Sequence, residues 1–179
     1  MRFVVPVRGA MGIRTIFNIL GPMCNPAQVK RQLTGAFDRA LIEPMARTLG
    51  NVGCEAAWVV YGADGLDEMT TTGTTHVAQL KAGAVTTFEV TPEDAGLARA
   101  SLDDLKGGDA EINAAAILAL LNGETGPFRD VTLLNAAASL IVAGKADDLK
   151  TGVALAEVSI DDGKARAALD TMVTITNSG

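Results

Sequence analysis

Two carboxylates stand side by side at Asp67 and Glu68, just behind the apolar run "EAAWVVYG" and the turn "GADG". Adjacent acids repel, so their placement after a buried strand, at the edge where open α/β sheets bind ligands, suits a cation. Hard oxygen donors match magnesium, which proteins hold with one or two carboxylates plus substrate phosphates. A solvated acidic turn uses the same residues, and siting alone favours the turn. Arg8 and Arg14 flank Gly9 and Gly12. A guanidinium beside a glycine-rich backbone can hold a carboxylate or phosphate bidentately, although capping a helix C-terminus is the plainer use. In "GPMCNP", glycine admits close approach and proline fixes the path, so the backbone can lie against a flat ligand or simply turn.

Other polar residues carry less. His76, the only histidine, opens a strand within Thr-Thr-His and is expected at the surface or hydrogen-bonded, not catalytic; no Ser-His-Asp arrangement is supported. Gly107-Gly108 before a helix could nest an anion, but Asp109 as N-cap followed by Glu111 favours capping. Asn113 and Asn135 sit in apolar helical stretches, and a buried amide needs partners. Each is expected to tie its helix to a loop.

The elements that position these residues are legible from periodicity. The opening stretch to Met11 predicts a short helix stopped at Gly12. "KRQLTGAF" predicts a strand ending at Gly35. From Asp38 to Leu49 the positions Leu41, Ile42, Met45, Ala46 and Leu49 recur at helical spacing, with Gly50 or Gly53 as the stop. "EAAWVVYG" then reads as a strand buried on both faces of a parallel sheet, completing a βαβ unit. "THVAQLKAG" and "AVTTFEV" predict a hairpin around Gly83, so the sheet should be mixed. Beyond Asp109 the chain is helical. "GDAEINAAAILALLNG" places Ile112, Ala115, Ala116, Ala119 and Leu120 near one face and stops at Gly123. "FRDVTLLNAAASLIVAGK" is apolar all round and predicts a central buried helix, and the remainder predicts two helices broken at Asp161-Asp162-Gly163. The fold class is α/β: a mixed sheet flanked by helices, in a single domain spanning 1–179.

Composition bounds the function. At 179 residues, 48% apolar and 20% charged, the chain can build a real core. A net charge of −6 argues against nucleic-acid binding through the average field. Cys24 and Cys54 make no disulfide framework and have no metal-ligand spacing, which points to a reducing, cytoplasmic setting. No run is long enough for a membrane span, and Pro6, Arg8 and Arg14 interrupt any reading of the first residues as a signal peptide.

Taken together, "PVRGAMGIRTIFNILGPMCNPA", "YGADGLDEM", "GGDAEINAAAILALLNGETGPFRD", "LLNAAASLIVAG" and "DDGKARAALD" resemble, in order and over the whole chain, the anthranilate phosphoribosyltransferases. The resemblance implies the larger α/β domain of the nucleoside phosphorylase/phosphoribosyltransferase-type fold, beside a small helical domain with substrates between them. It implies transfer of the phosphoribosyl group from phosphoribosyl pyrophosphate to anthranilate in tryptophan biosynthesis. Arg8 would then pair with the anthranilate carboxylate, Gly21 and Pro22 would edge the ring's channel, and Asp67 and Glu68 would ligate Mg2+. No side chain is assigned as a catalytic acid or base. The expected partners are these small molecules, with neither nucleic acid nor membrane, and the full-length enzyme is expected to be a homodimer. The family's "GTGGD"-like loop and "KHGNR"-like segment, which precede the first block, are absent from this sequence. The chain is therefore expected to be the C-terminal part of the enzyme, truncated at its N-terminal side, inactive alone and prone to self-association through uncovered apolar surface. Cys24 within the Gly-Pro block, and Tyr61 where a histidine is common, are minor departures. The alternatives are a pyrimidine nucleoside phosphorylase-like protein, or a non-catalytic binding or assembly module on the same fold.

Overall fold

Strand β2, Ala56–Gly62, is buried along nearly its whole length, and the rest of the molecule is arranged to cover its two faces. The computed structural model describes residues 5–13 and 15–178, without the side chain of Arg8. Strand β1, Arg31–Gly35, pairs parallel to β2 in a register running from Arg31↔Ala56 to Gly35↔Val60. The parallel pairing requires a crossover, which helix α3, Ile42–Asn51, supplies. A 3-10 turn, Arg39–Leu41, leads into it, with the Asp38 carboxylate accepting from the Ala40 N–H. Ile42, Met45, Ala46 and Leu49 are buried as the spacing predicts. Gly50, however, lies within the helix and does not stop it. Its bare α-carbon lets α3 close on the sheet, where a Cβ would stand 3.1 Å from Leu80 Cδ1. The left-handed Gly53, φ +92°, follows the helix end.

Strands β3, Thr75–Lys81, and β4, Ala84–Val90, form the expected hairpin. Ala82 and Gly83 turn the chain with φ of 51° and 78°, the doubly positive geometry that matches strand twist. β3 pairs antiparallel to β2, so the order β1-β2-β3-β4 makes a mixed sheet, as expected. Alternation along β2 divides the core. Ala57 and Val59 join Ala78 and Leu80 beneath α3, whereas Trp58 and Val60 face the other way with Val77 and Val90.

That second face is covered by α5, Pro127–Val142, and α6, Leu149–Asp161. The prediction of a central buried α5 holds for one face: Leu133, Leu134, Ala137 and Ala138 are buried, while Phe128 remains 40% exposed. α5 and α6 approach closely at Gly152, where a Cβ would lie 2.8 Å from both Cα and Cβ of Ala137. Gly152→Ala should therefore cost about 1–2 kcal/mol, a clash partly offset by alanine's better helix propensity, read from the urea midpoint.

α4, Ala110–Leu121, departs from expectation. Asp109 caps it, accepting from the N–H groups of Glu111 and Ile112, and Asn113 folds back to bond both backbone groups of Gly108, as anticipated. Yet Ile112 is 58% exposed and Ala115 is also exposed; of the five residues placed on its apolar face only Leu120 is buried, with Ala116 and Ala119 half-buried. The periodicity defined a face, but the neighbouring helices cover only its last turn. Gly163, φ +73°, breaks the chain between α6 and α7, Lys164–Asn177, where the sequence placed the break. At the other end, α1, Val5–Met11, stops at the left-handed Gly12, and a one-turn helix α2, Leu20–Met23, follows. Val5, Val7, Ile13 and Ile16 are all more than half exposed. No helix among the described residues is long and apolar enough to cross a membrane.

Candidate functional site

Parallel pairing of β1 and β2 places their carboxyl ends, Gly35 and Gly62, at one edge of the sheet. The chain leaves β2 there and doubles back, with the Gly62 N–H bonded to the Leu66 carbonyl at 2.8 Å and the Gly65 N–H to the Gly62 carbonyl at 2.9 Å. Asp64 is the hub of this loop. Its Oδ1 accepts from the Leu66 N–H at 3.0 Å, and its Oδ2 accepts from the hydroxyls of Thr70 and Thr72, each at 2.5 Å. Burial pushes the Asp64 carboxyl upward, but the Thr70 and Thr72 hydroxyls and the Leu66 N–H together outweigh it. The group is held below its ordinary range.

Past this hub the backbone of Asp67 runs across the end of β1. A Cβ on Gly35 would lie 1.5 Å from the Asp67 carbonyl oxygen and 2.4 Å from its carbon, so only glycine admits the crossing. The chain then enters the core: Met69, Thr70 and Thr71 are fully buried. The side-chain amide of Asn135, on α5, brackets Met69, accepting from its N–H at 3.1 Å and donating to its carbonyl at 2.9 Å. The Thr70 N–H bonds Thr75 Oγ1 at 3.0 Å, closing the loop onto the first residue of β3.

Asp67 and Glu68 are both exposed. Neither carboxylate has a hydrogen-bond or ion-pair partner among the described residues. The charges on the α3 face contrast with this. Around a cleft of about 670 Å3, Arg39 lies 3.6 Å from Glu89, Arg47 lies 2.5 Å from Glu43, and His76 Nδ1 lies 3.0 Å from Glu89 Oε1. That last approach is an ion-pair distance off the angle of a hydrogen bond. His76, with only 13% of its side chain exposed and stacked on Tyr61, is an interior residue rather than a surface one.

The donor chemistry fits a hard divalent cation. Among the described residues no group of three or more His, Cys, Asp or Glu side chains is placed to hold a metal. The acid pair could supply two carboxylates, the number magnesium usually takes from a protein when substrate phosphates complete its shell. Pro22 lines a cavity of about 470 Å3 that does not include the pair, with Cys24, Lys30 and Cys54, and its carbonyl accepts from Gln32 Nε2 at 3.4 Å. Gly21 faces open space on α2. Arg8 stands on α1, but its side chain, like Arg14, lies outside the described residues.

Sequence reasoning singled out the acids and missed what holds them: Asp64, Gly35 and the Thr70 and Thr72 hydroxyls. One signal was present. An aspartate two residues before Leu66 has the spacing of a side chain that accepts from the backbone, and the threonine-rich run 70–75 needed an acceptor once buried.

Comparison with known proteins extends the reading. Residues 1–166 match the family described as glycosyl transferase family, a/b domain. The chain is 58% identical over 177 residues to an anthranilate phosphoribosyltransferase of Parvibaculum lavamentivorans, covering 99% of this chain and 52% of that protein. An enzyme of the same name from Rhodopseudomonas palustris is 58% identical over 176 residues, with 98% and 52% covered. Among solved structures, anthranilate phosphoribosyltransferase from Thermus thermophilus superposes with a TM-score of 0.89 at 41% identity, over 97% of this chain and 51% of that one. The Saccharomyces cerevisiae enzyme, in complex with PRPP and Mg, gives 0.86 at 27% identity over 98% and 51%. The chain thus spans about half the length of the relatives it matches.

Proposed function

We propose that this chain, which belongs to the glycosyl transferase family through its a/b domain, carries the cation-facing part of a phosphoribosyl transfer to anthranilate in tryptophan biosynthesis. The observation that carries this reading is a pair of carboxylates without a partner among the described residues, on a backbone fixed at the carboxyl edge of the sheet. The relatives' names and the yeast complex with PRPP and Mg support it.

In the transfer, the amino nitrogen of anthranilate bonds to the anomeric carbon of phosphoribosyl pyrophosphate as the carbon–oxygen bond to pyrophosphate breaks. Pyrophosphate leaves with the electron pair, and the nitrogen releases a proton to solvent. Negative charge grows on the leaving group and positive charge on the ribose. Magnesium, when bound, supplies stabilisation of the leaving pyrophosphate. Asp67 and Glu68 would hold that ion, on a loop braced by Asp64 through the Leu66 N–H and the Thr70 and Thr72 hydroxyls. Arg8 orients the anthranilate carboxylate, while Gly21 and Pro22 edge the channel for its ring. Positioning carries the step. No side chain is assigned as a proton acceptor, and His76 is occupied by Glu89 and Tyr61.

Titrating the chain with Mn2+ in the presence of inorganic pyrophosphate, read by electron paramagnetic resonance, tests the site. Saturable binding is expected in the natural sequence, with its loss in Asp67→Asn/Glu68→Gln. Absence of saturable binding in the natural sequence overturns the cation site. The decline of anthranilate fluorescence with phosphoribosyl pyrophosphate and Mg2+, measured on the protein as it occurs in its cells, tests the reaction. A signal that persists overturns the transfer.

A further inference from the structure

We propose that Asn135 is a positioning residue for the acid pair: its amide fixes the peptide next to Glu68, so that Asp67 and Glu68 keep the geometry a divalent cation needs. The inference rests on the cation-site reading above and names a residue on a different element, 66 positions away in sequence.

The argument begins with which part of the molecule can serve as an anchor. α5 is held by both layers around it: its Leu133, Leu134, Ala137 and Ala138 are at most 1% exposed, packed between the sheet and α6. Asn135 lies among these residues, half-buried at the loop-facing side of the helix. Its Oδ1 accepts from the Met69 N–H at 3.1 Å, and its Nδ2 donates both to the Met69 carbonyl at 2.9 Å and to the Val131 carbonyl of its own helix at 2.9 Å. The backbone donor and acceptor of Met69 settle the orientation of the amide, because the flipped form would set donor against donor and acceptor against acceptor. The bond to Val131 fixes the rotamer as well. A side-chain amide thereby does for one loop peptide what a neighbouring strand does for a sheet peptide.

The placement explains why the clamp matters to the acids. Met69 is fully buried, while Glu68 and Asp67 immediately before it are exposed. On the upstream side, the Asp67 backbone rests against Gly35, and Leu66 is bonded to Asp64. The acid pair is therefore suspended between two fixed points, one at the end of β1 and one on α5. Two adjacent carboxylates repel when no cation lies between them, and a loop free at either end would let them separate. Removing the amide frees the downstream point and leaves the buried N–H and carbonyl of Met69 without these partners.

A merely structural asparagine would lower the melting temperature without altering cation affinity well below it. Metal affinity is the discriminating readout. The Mn2+ titration with inorganic pyrophosphate is run at a temperature where each variant is fully folded by circular dichroism. Asn135→Ala is expected to weaken Mn2+ binding about tenfold, the size seen when residues supporting metal ligands are removed. Amide exchange should quicken at residues 66–70 and stay unchanged in α6. Should Asn135→Ala fail to fold, Asn135→Asp, which keeps the volume and the acceptor for the Met69 N–H but loses the Nδ2 donor, is judged by the same criterion. If the natural sequence binds, Asp67→Asn does not, and the folded Asn135 variant binds as tightly as the natural sequence, the positioning role is overturned while the cation site stands. If the natural sequence fails to bind, the site itself falls and takes this role with it.

Discussion

Gly35→Ala should destabilise the chain by about 3 kcal/mol or more, because the methyl group would have to occupy space already filled by backbone. The added Cβ would sit 1.5 Å from the carbonyl oxygen of Asp67, 2.4 Å from its carbonyl carbon and 2.9 Å from its Cβ. A flexible side chain could swing aside, but a peptide group cannot move alone. Either the end of β1 pulls away from β2, losing the Gly35↔Val60 register, or the loop carrying Asp67 and Glu68 lifts off the sheet. Urea denaturation followed by tryptophan fluorescence measures the cost, since Trp58 lies in the adjoining core. Gly73→Ala is the control. A Cβ there meets nothing within 4 Å, so its midpoint should stay within about 0.5 kcal/mol of the natural chain's. If Gly35→Ala matched this control, Asp67 would have to pass the end of β1 along another path.

Asp64→Ala should cost about 1–3 kcal/mol, because it removes the shared acceptor of two threonine hydroxyls and the Leu66 N–H. Thr70 is fully buried and cannot turn to water instead. The loss should also change the response to acid. The Asp64 carboxyl is held below its ordinary value, burial raising it and the Thr70, Thr72 and Leu66 donors lowering it further than burial raises it. A carboxyl depressed in the folded state stabilises the fold above the unfolded pKa of about 3.9. That contribution is lost as pH falls through the lower folded value. The natural chain should thus lose this increment only below about pH 4, while Asp64→Ala lacks it at neutral pH and shows a shallower acid limb. Melting temperatures recorded from neutral to acid pH decide the matter. Parallel curves for the two proteins would show that Asp64 does not bear on acid stability.

Much of the fold was legible because its signals are local. The all-apolar run at 56–62 could be buried only on both faces, and β2 is covered by α3 on one side and α5 and α6 on the other. Spacing from Ile42 to Leu49 gave the buried stripe of α3 residue by residue. Gly83, Gly123 and Gly163 stood where the chain turns with positive φ. Misreadings came where a neighbour, not the segment itself, decided the outcome. Of the two glycines offered as the stop of α3, Gly53 follows its end, while Gly50 is the flat spot on which α3 meets Leu80. α4 carries apolar residues around most of its surface, yet nothing in its own sequence says which of them its neighbours reach. His76 sat in a polar stretch and was expected at the surface or hydrogen-bonded; of these the surface reading fails, because Glu89 of β4 and Tyr61 enclose it.

The candidate site divides in the same way. Sequence alone determined the paired acids, their position behind a buried strand and the turn that separates them from it, since residue type and short-range spacing are properties of the chain. It also determined, through the ordered blocks from "PVRGAMGIR" to "DDGKARAALD", the family to which the chain belongs. Only the tertiary structure decided how the acids are held. Gly35 meets Asp67 across 32 residues of sequence, and Asn135 meets Met69 across 66. Contacts of that range exist only after the sheet and helices have packed, and they depend on fits of a few tenths of an ångström that no local pattern encodes. A glycine whose missing methyl makes room for a distant peptide looks, in sequence, like any strand-ending glycine.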